Sequence, residues 1–462
     1  MVTVIDADYL VVGGGAMGMA FTDVLLTETD ARVVLVERRA RPGGHWNDSY
    51  PFVRLHQPSA FYGVNSRELG EGTIDAVGPN AGLFELATGS EVVAYFDNVL
   101  HRDFLPSGRV EWHPMCTYEG DRRFRSNVTG EVHTVSSDAT VVDATYMHVS
   151  VPSTTPPKYE IDDGVQLIPL NDLVHTSEPP DGYVVIGAGK TGMDACLWLL
   201  AQGVDPDSIR WVMPRDSWLL NRANIQPGLE SPDRAAEGFG GQLRDIAEST
   251  SVDDMFDRLE ASGQLLRLDP DIRPTMYRCA TVTKAELAEL RRIDNVIRMG
   301  RVQRIGPDQI VLDDGAIPTT PSTLHVDCTA DGLERRPAMP IFNGDHITLQ
   351  TVRPCQQVFS AAFIAHVEQS LDDESRKNEL CTVVPHPDTA VDYVETTKGN
   401  FLNGMQWFFD PDLAGWLANA RLDAFSGAET DDGSTGPAAN EAIATWLGPA
   451  IEKLEEYGSR PA

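Results

Sequence analysis

The sequence has no Cys-x-x-Cys pair and no His/Cys cluster at zinc-ligand spacing. Its six cysteines, Cys116, Cys196, Cys279, Cys328, Cys355 and Cys381, are scattered along the chain. No metal site is expected, and no closely spaced dithiol is offered for disulfide exchange; buried, inert thiols are the expectation for each. Basic residues are also scarce, 37 Lys and Arg against 69 Asp and Glu, for a net charge of -32. That charge disfavours a polyanionic partner, so nucleic acid is not expected. No stretch is apolar over the length of a membrane span. The opening residues MVTVIDADYLVV lack the basic n-region and small-residue cleavage site of a signal peptide. A cytoplasmic protein without membrane partners is expected.

What is present is the composition of a globular chain, 42% hydrophobic and 23% charged over 462 residues. With domains of about 100 to 200 residues, it predicts two large domains and an appendage. The β-rich run Tyr9-Leu10-Val11-Val12 precedes GGGAMG, a helical pattern in MAFTDVLLTET and a second β-rich run, ARVVLVE. This is the strand, turn, helix, strand grammar of a dinucleotide-binding unit. Short strands are predicted over 110–143, and the proline-rich VSVPSTTPP reads as a crossing between domains. The same grammar returns over 183–213 as YVVI, GAGKTG, MDACLWLLAQG and SIRWVM.

The predicted fold class is α/β, with two Rossmann-like dinucleotide-binding domains and a helical C-terminal segment. The first domain is discontinuous, 1–155 and 320–400. The second, 156–319, is inserted into it and carries a helical insertion at about 228–265. A helical extension occupies 401–462. Return strands are expected in PDQIVLDDG and STLHVDCTADG, a long helix in CQQVFSAAFIAHVEQSL, and an acidic link over Phe425 to Asn440. His366 reads as structural, and GNFLNGMQWFF as core.

In the first turn, Gly13, Gly15 and Gly18 supply G-x-G-x-x-G around Ala16 and Met17. The first glycine permits the turn, the second lets backbone approach a pyrophosphate, and the third lets helix and strand pack closely. Glu37, 19 positions after Gly18 and followed by Arg38, stands where a carboxylate holds ribose hydroxyls. The second turn, Gly187, Gly189 and Gly192 with Lys190 and Thr191, contains the GKT of a P-loop. Val184 occupies the position where a P-loop requires glycine, so the dinucleotide reading stands. Arg215 follows the next strand where an acid would mark NADH, and it suits a 2′-phosphate. A surface ion pair is the plainer account of Arg215, and a solvated lysine that of Lys190.

Four local matches make residues 8–335 resemble the class B flavin monooxygenases, which include flavin-containing monooxygenases, N-hydroxylases and Baeyer-Villiger monooxygenases. Gly43-Gly44-His45-Trp46 is similar to that family's GG-x-W element, with Tyr50-Pro51 and Arg54 following it. Arg215 and Trp218, with Arg222, are similar to its Arg-x-x-x-Trp stretch. Asp143-Ala144-Thr145 resembles an Ala-Thr-Gly element with Tyr146 in place of glycine. Asp327 to Gly332 resembles the motif that closes the FAD domain, with Ala330 replacing a glycine. The Baeyer-Villiger fingerprint can be laid only on His175, with Pro169, Asn171 and Pro179 at its other fixed positions, and His56 stands where that family has an Asp.

The resemblance implies FAD in the first domain and NADPH in the second. It implies a monooxygenase passing one oxygen atom from O2 to a small-molecule substrate through a flavin hydroperoxide. FAD would be held by Gly44, His45, Trp46 and Asp331 together with the first turn, and NADPH by the second turn with Arg215 and Trp218. Arg54, His56, Gln57 and Arg278 are the candidate catalytic residues. Trp46 as packing and His56 as a structural histidine are the competing accounts. Two other readings stay open: an NAD(P)H-dependent reductase or dehydrogenase without oxygen insertion, and a binding protein with structural FAD. A homo-oligomer is compatible with each.

Overall fold

The computed structural model describes residues 4–227, 232–423 and 437–459. The β-branched runs predicted at the N-terminus form the centre of a six-stranded sheet. Its order is Phe342–Asn343, His346–Thr348, Thr140–Asp143, Tyr9–Val12, Val33–Val36 and Val110–His113. All pairings are parallel except the first. Val33–Val36 is buried at every position, as expected of a parallel strand covered on both faces. The helices Ala16–Glu28 and Gln357–Ser370 pack against each other on this sheet, and Phe21, Val24, Phe359 and Phe363 are sealed in their shared core. Tyr9–Val12 has Val33–Val36 on one side, from which the sheet continues to Val110–His113, and Thr140–Asp143 on the other. The strand order therefore switches sides at Tyr9–Val12, and open α/β sheets bind ligands at the carboxyl end of such a switch point.

The second sheet repeats this plan in five parallel strands: Gln166–Pro169, Thr323–Asp327, Gly182–Ile186, Ile209–Val212 and Val296–Ile297. One expectation is corrected here. Thr323–Asp327 was assigned to the return into the first domain, but it pairs with Gln166–Pro169 and Gly182–Ile186 inside the second sheet. The return to the first sheet begins at Phe342. A strand buried at all five positions carries no pattern that says which of two parallel sheets it joins. Gln309–Leu312 lies instead in an antiparallel ladder with Val302–Ile305 and Gly315–Pro318.

The predicted insertion contains the helices Pro232–Ala247 and Val252–Ala261. They do not stand alone. Leu243, Ile246 and Phe256 share a core with Tyr393, Leu454 and Tyr457, from the helices Ala390–Phe409 and Pro437–Gly458. The C-terminal helices thus cover the insertion of the second domain. The acidic stretch expected to be a link, Phe425 to Asn440, lies outside the described residues as far as 436. His366 pairs with Glu28 at 2.7 Å, and Phe401 and Trp407 are core while Phe408 and Phe409 are exposed. Among the described residues no helix is long and apolar enough to cross a membrane, and no group of His, Cys, Asp and Glu could hold a metal ion.

Candidate active site between two glycine turns

Both glycine turns open on one cavity of about 1010 Å³. Gly13, Gly15, Ala16 and Met17 line one end, and Gly187, Gly189, Lys190 and Thr191 another. Gly13 and Gly187 have φ of 106° and 132°, reachable at low cost by glycine. Gly15 and Gly189 are the N-caps of Ala16–Glu28 and Lys190–Ala201, and neither helix end is satisfied by a side chain. Such a terminus presents unpaired N–H groups and partial positive charge, a site for phosphate. A Cβ at Gly189 would meet nothing within 4 Å. A Cβ at Gly18 would collide with the carbonyl oxygen of Gly13, and one at Gly192 with that of Gly187. The third glycine of each turn is therefore a packing residue, and neither lines the cavity.

The two turns share a further device that the sequence reading treated as two unrelated motifs. After the neighbouring strand Thr140–Asp143, Asp143 Oδ1 accepts from the Thr145 amide at 2.8 Å and its hydroxyl at 2.6 Å. After Thr323–Asp327, Asp327 Oδ1 accepts from the Thr329 amide at 3.2 Å and its hydroxyl at 2.7 Å. Ala144 and Thr145 back the Gly13 turn, and Cys328 backs the Gly187 turn. The stretch read as closing the FAD domain is the second sheet's counterpart of Asp143-Ala144-Thr145. The repeated Asp-x-Thr was the signal that could have shown it.

Glu37 is buried and lines the cavity. Its carboxylate accepts from the amides of Gly14 and Arg39, each at 2.9 Å, which ties the turn to the end of Val33–Val36. Arg38 is exposed at the rim, while Arg39, which sequence reasoning passed over, lines the wall and binds Asp48. Gly44, His45 and Trp46 line the cavity beside Gly15. His45 stacks on Trp46, and Trp46 Nε1 donates to the Tyr62 hydroxyl at 2.7 Å. Burial, with Arg39 nearby, lowers the His45 pKa to about 4.

The segment after Trp46 crosses to the second domain. Tyr50 donates to Asp194 at 2.6 Å, Lys190 pairs with the same carboxylate, and Phe52 stacks on Trp198. Arg54, His56 and Gln57 all line the cavity. Arg54 donates to the Leu86 carbonyl at 3.1 Å. His56 Nδ1 is buried without a partner, and burial, reinforced by Lys190 and Arg222, lowers its pKa to about 3. Arg278 also lines the cavity, but its guanidinium donates to the carbonyls of Asp331 and Leu333, each at 2.9 Å. It clamps the loop that carries Asp331, whose carboxylate pairs with Lys158.

Four expectations change. Arg215 lines the cavity but is held by both carboxylate oxygens of Asp388, at 3.0 and 3.1 Å. Trp218 does not reach the cavity: it is 1% exposed and stacks on Phe256 in the core shared with the C-terminal helices. Arg222 is fully buried, paired with Glu286 and donating to the His56 carbonyl. Trp218 lies on Ser217–Asn221, a strand buried at four of its five positions, and Arg222 opens the 3-10 turn that follows it. Last, Cys279 and Cys355 form a disulfide on the cavity wall, so two of the six cysteines are paired although none is closely spaced in sequence. His386 lines the cavity and Asp388, two residues on, pairs with Arg215, in a stretch with no sequence signal. His175 is exposed and outside the cavity.

The description of an NAD(P)-binding Rossmann-like domain matches residues 11–63, the first turn and the segment after it. The uncharacterized protein Rv2000 of Mycobacterium tuberculosis is 56% identical over 418 residues, 90% of this chain and 78% of that protein. The chain belongs to the Rv2000 family. The fold of this Rv2000 relative is also found in cyclohexanone monooxygenase with ε-caprolactone bound, with a TM-score of 0.50 at 13% identity over 88% of this chain and 98% of that one. A flavin-containing monooxygenase from Stenotrophomonas maltophilia matches with a TM-score of 0.44 at 14% identity, over 82% and 100%. The two-domain α/β architecture implied by the local motifs is the one observed.

Proposed function

We propose that the chain is an FAD-dependent monooxygenase that consumes NADPH and passes one oxygen atom from O2 to a small-molecule substrate. One observation carries the reading: two glycine turns, each with an uncapped helix N-terminus, open on a single cavity. Two dinucleotides seated there would bring their reactive rings into one enclosed space. FAD belongs to the turn at Gly13 to Gly18 with Glu37, Arg38 and Gly44 to Trp46, and NADPH to the turn at Gly187 to Gly192. Bound FAD supplies the chemistry that a protein lacks, taking up hydride and reacting with dioxygen.

The chain's own residues enclose and orient. Tyr50, Asp194 and Lys190 hold the two domains together over the cavity. Trp46 and Tyr62 form a fixed aromatic wall, and His56 offers an unpartnered Nδ1 to a substrate polar atom. Gln57 and Arg54 complete that side. Arg278 acts as a positioning residue, through the loop it clamps. Arg215 reads the 2′-phosphate, which takes the place of Asp388 on the guanidinium. A cytoplasmic location and a discontinuous FAD domain belong to the same proposal. His56 in place of the acid, and the broken fingerprint at His175, weigh against Baeyer-Villiger chemistry within it.

The test is anaerobic reduction followed by oxygen. Purified protein is expected to be yellow, to bleach with NADPH, and to place labelled oxygen from ¹⁸O2 in a product when amines, sulfides and ketones are screened. Bleaching and reoxidation with no labelled product from any class would leave a reductase. A yellow protein that NADPH does not bleach would leave FAD as a structural group.

A further inference from the structure

Cys279 and Cys355 are 76 residues apart in sequence and joined by a disulfide, with Cα atoms 6.5 Å apart. Both line the cavity on which the two glycine turns open. Cys279 belongs to the strand Met276–Val282, within the second domain, and Cys355 to the segment that enters Gln357–Ser370, in the first. The bond therefore crosses the wall where the domains meet. The other four cysteines, Cys116, Cys196, Cys328 and Cys381, are free and buried.

The backbone at both half-cystines is unusual in the same way. Cys279 has φ of 55° and Cys355 of 61°, left-handed conformations that the free cysteines do not adopt and that residues with a side chain rarely hold. Such outliers persist where surrounding structure enforces them, and they gather at functional sites. The strand Met276–Val282 also slips its register against Ser217–Asn221 between the pairs Trp218–Tyr277 and Leu220–Thr281. Cys279 sits in that irregularity, and bulges re-aim side chains beside active sites. Cys355 immediately precedes Gln356, the N-cap of a helix of 14 residues, where the helix terminus favours a thiolate over a thiol.

We propose that Cys279–Cys355 is a redox-active disulfide of the cavity, reduced by the flavin seated there. The proposal rests on the FAD and NADPH reading given above. The S–S bond breaks, and each sulfur takes one electron and one proton to become a thiol. The two electrons and two protons come from reduced FAD, which returns to its oxidised form, and NADPH with a proton restores the reduced flavin. The pair is thus a second two-electron store beside the flavin. In a reducing compartment a disulfide is transient, catalytic or sensing rather than a permanent brace, which agrees with the proposed cytoplasmic location.

The experiment is an anaerobic NADPH titration of the holoprotein, followed by denaturation and a count of thiols. Wild type is expected to take two equivalents of NADPH per FAD, while Cys279→Ser/Cys355→Ser takes one. The thiol count is expected to rise from four to six on reduction, matching the four free cysteines and the disulfide, with the new alkylation at Cys279 and Cys355 by mass spectrometry. Should the double variant fail to fold, the wild-type equivalents and thiol count decide alone. Bleaching with one equivalent and a count that stays at four overturns the disulfide's role and leaves the flavin reading intact. A count of six in protein isolated under air overturns it too. Absence of bleaching, with thiols appearing only after a phosphine reductant, overturns the flavin reading and with it the flavin as electron source.

Discussion

At the scale of single residues, the cavity pairs groups that sequence separates widely. Asp388 sits on Arg215 and competes with any phosphate for the same guanidinium. Arg215→Ala is expected to weaken NADPH, with NADH unchanged, by about 1.5–3 kcal/mol, the worth of a charged hydrogen bond. Asp388→Asn is expected to tighten NADPH; Michaelis constants for both coenzymes check the pair. Three histidines on the wall are kept neutral by burial, with pKa values lowered from 6.5 to about 4 for His45, about 3 for His56 and about 4 for His386. The unfolded chain binds these protons near pH 6.5 and the folded chain does not. Their stability contribution is therefore full above about pH 6.5 and is lost as pH falls towards 4. Urea midpoints are expected to drop between pH 7.5 and pH 5, and His56→Gln to make that drop shallower. An unchanged slope in the variant would show that His56 is protonated in the folded protein.

At the scale of elements, each strand, glycine turn and helix separates what holds the backbone from what meets the ligand. In the second turn, Gly189 faces open space and Gly192 faces the Gly187 carbonyl. Gly189→Ala, at an ordinary φ of -79°, is expected to leave the melting temperature unchanged and to raise the coenzyme Michaelis constant about tenfold, or about 1.4 kcal/mol. Gly192→Ala is expected to lower stability by about 3 kcal/mol through overpacking, whatever coenzyme is added. Thermal melts beside coenzyme kinetics distinguish the two. The motif spacing made the turns legible, because G-x-G-x-x-G with a preceding strand and a following helix leaves few alternatives. It did not make Trp218 legible. The stretch after Arg215 resembles a coenzyme-binding element, yet a strand buried at four of its five positions and a large hydrophobic ring place Trp218 against Phe256. Trp218→Ala is expected to cost about 3–5 kcal/mol of stability with no change in coenzyme selectivity.

At the scale of the whole molecule, the C-terminal helices and the helical insertion are one core, through Leu243, Ile246, Tyr393 and Leu454. Removing the chain after residue 423 is expected to expose that core, raising dye binding and lowering the melting temperature, while FAD remains in the N-terminal turn. Loss of FAD on truncation would place the helices in the cofactor's support instead. By itself the sequence determined the two glycine turns and the strands and helices flanking them. Those features are local, and their chemistry is fixed by residues within a few positions of one another. Only the tertiary structure decided that Thr323–Asp327 belongs to the second sheet, that Asp388 occupies Arg215, and that Cys279 meets Cys355. Each is a pairing between segments tens to hundreds of residues apart: the repeated Asp-x-Thr hints at the first, and no periodicity or spacing along the chain records which side chain lies opposite another in the other two.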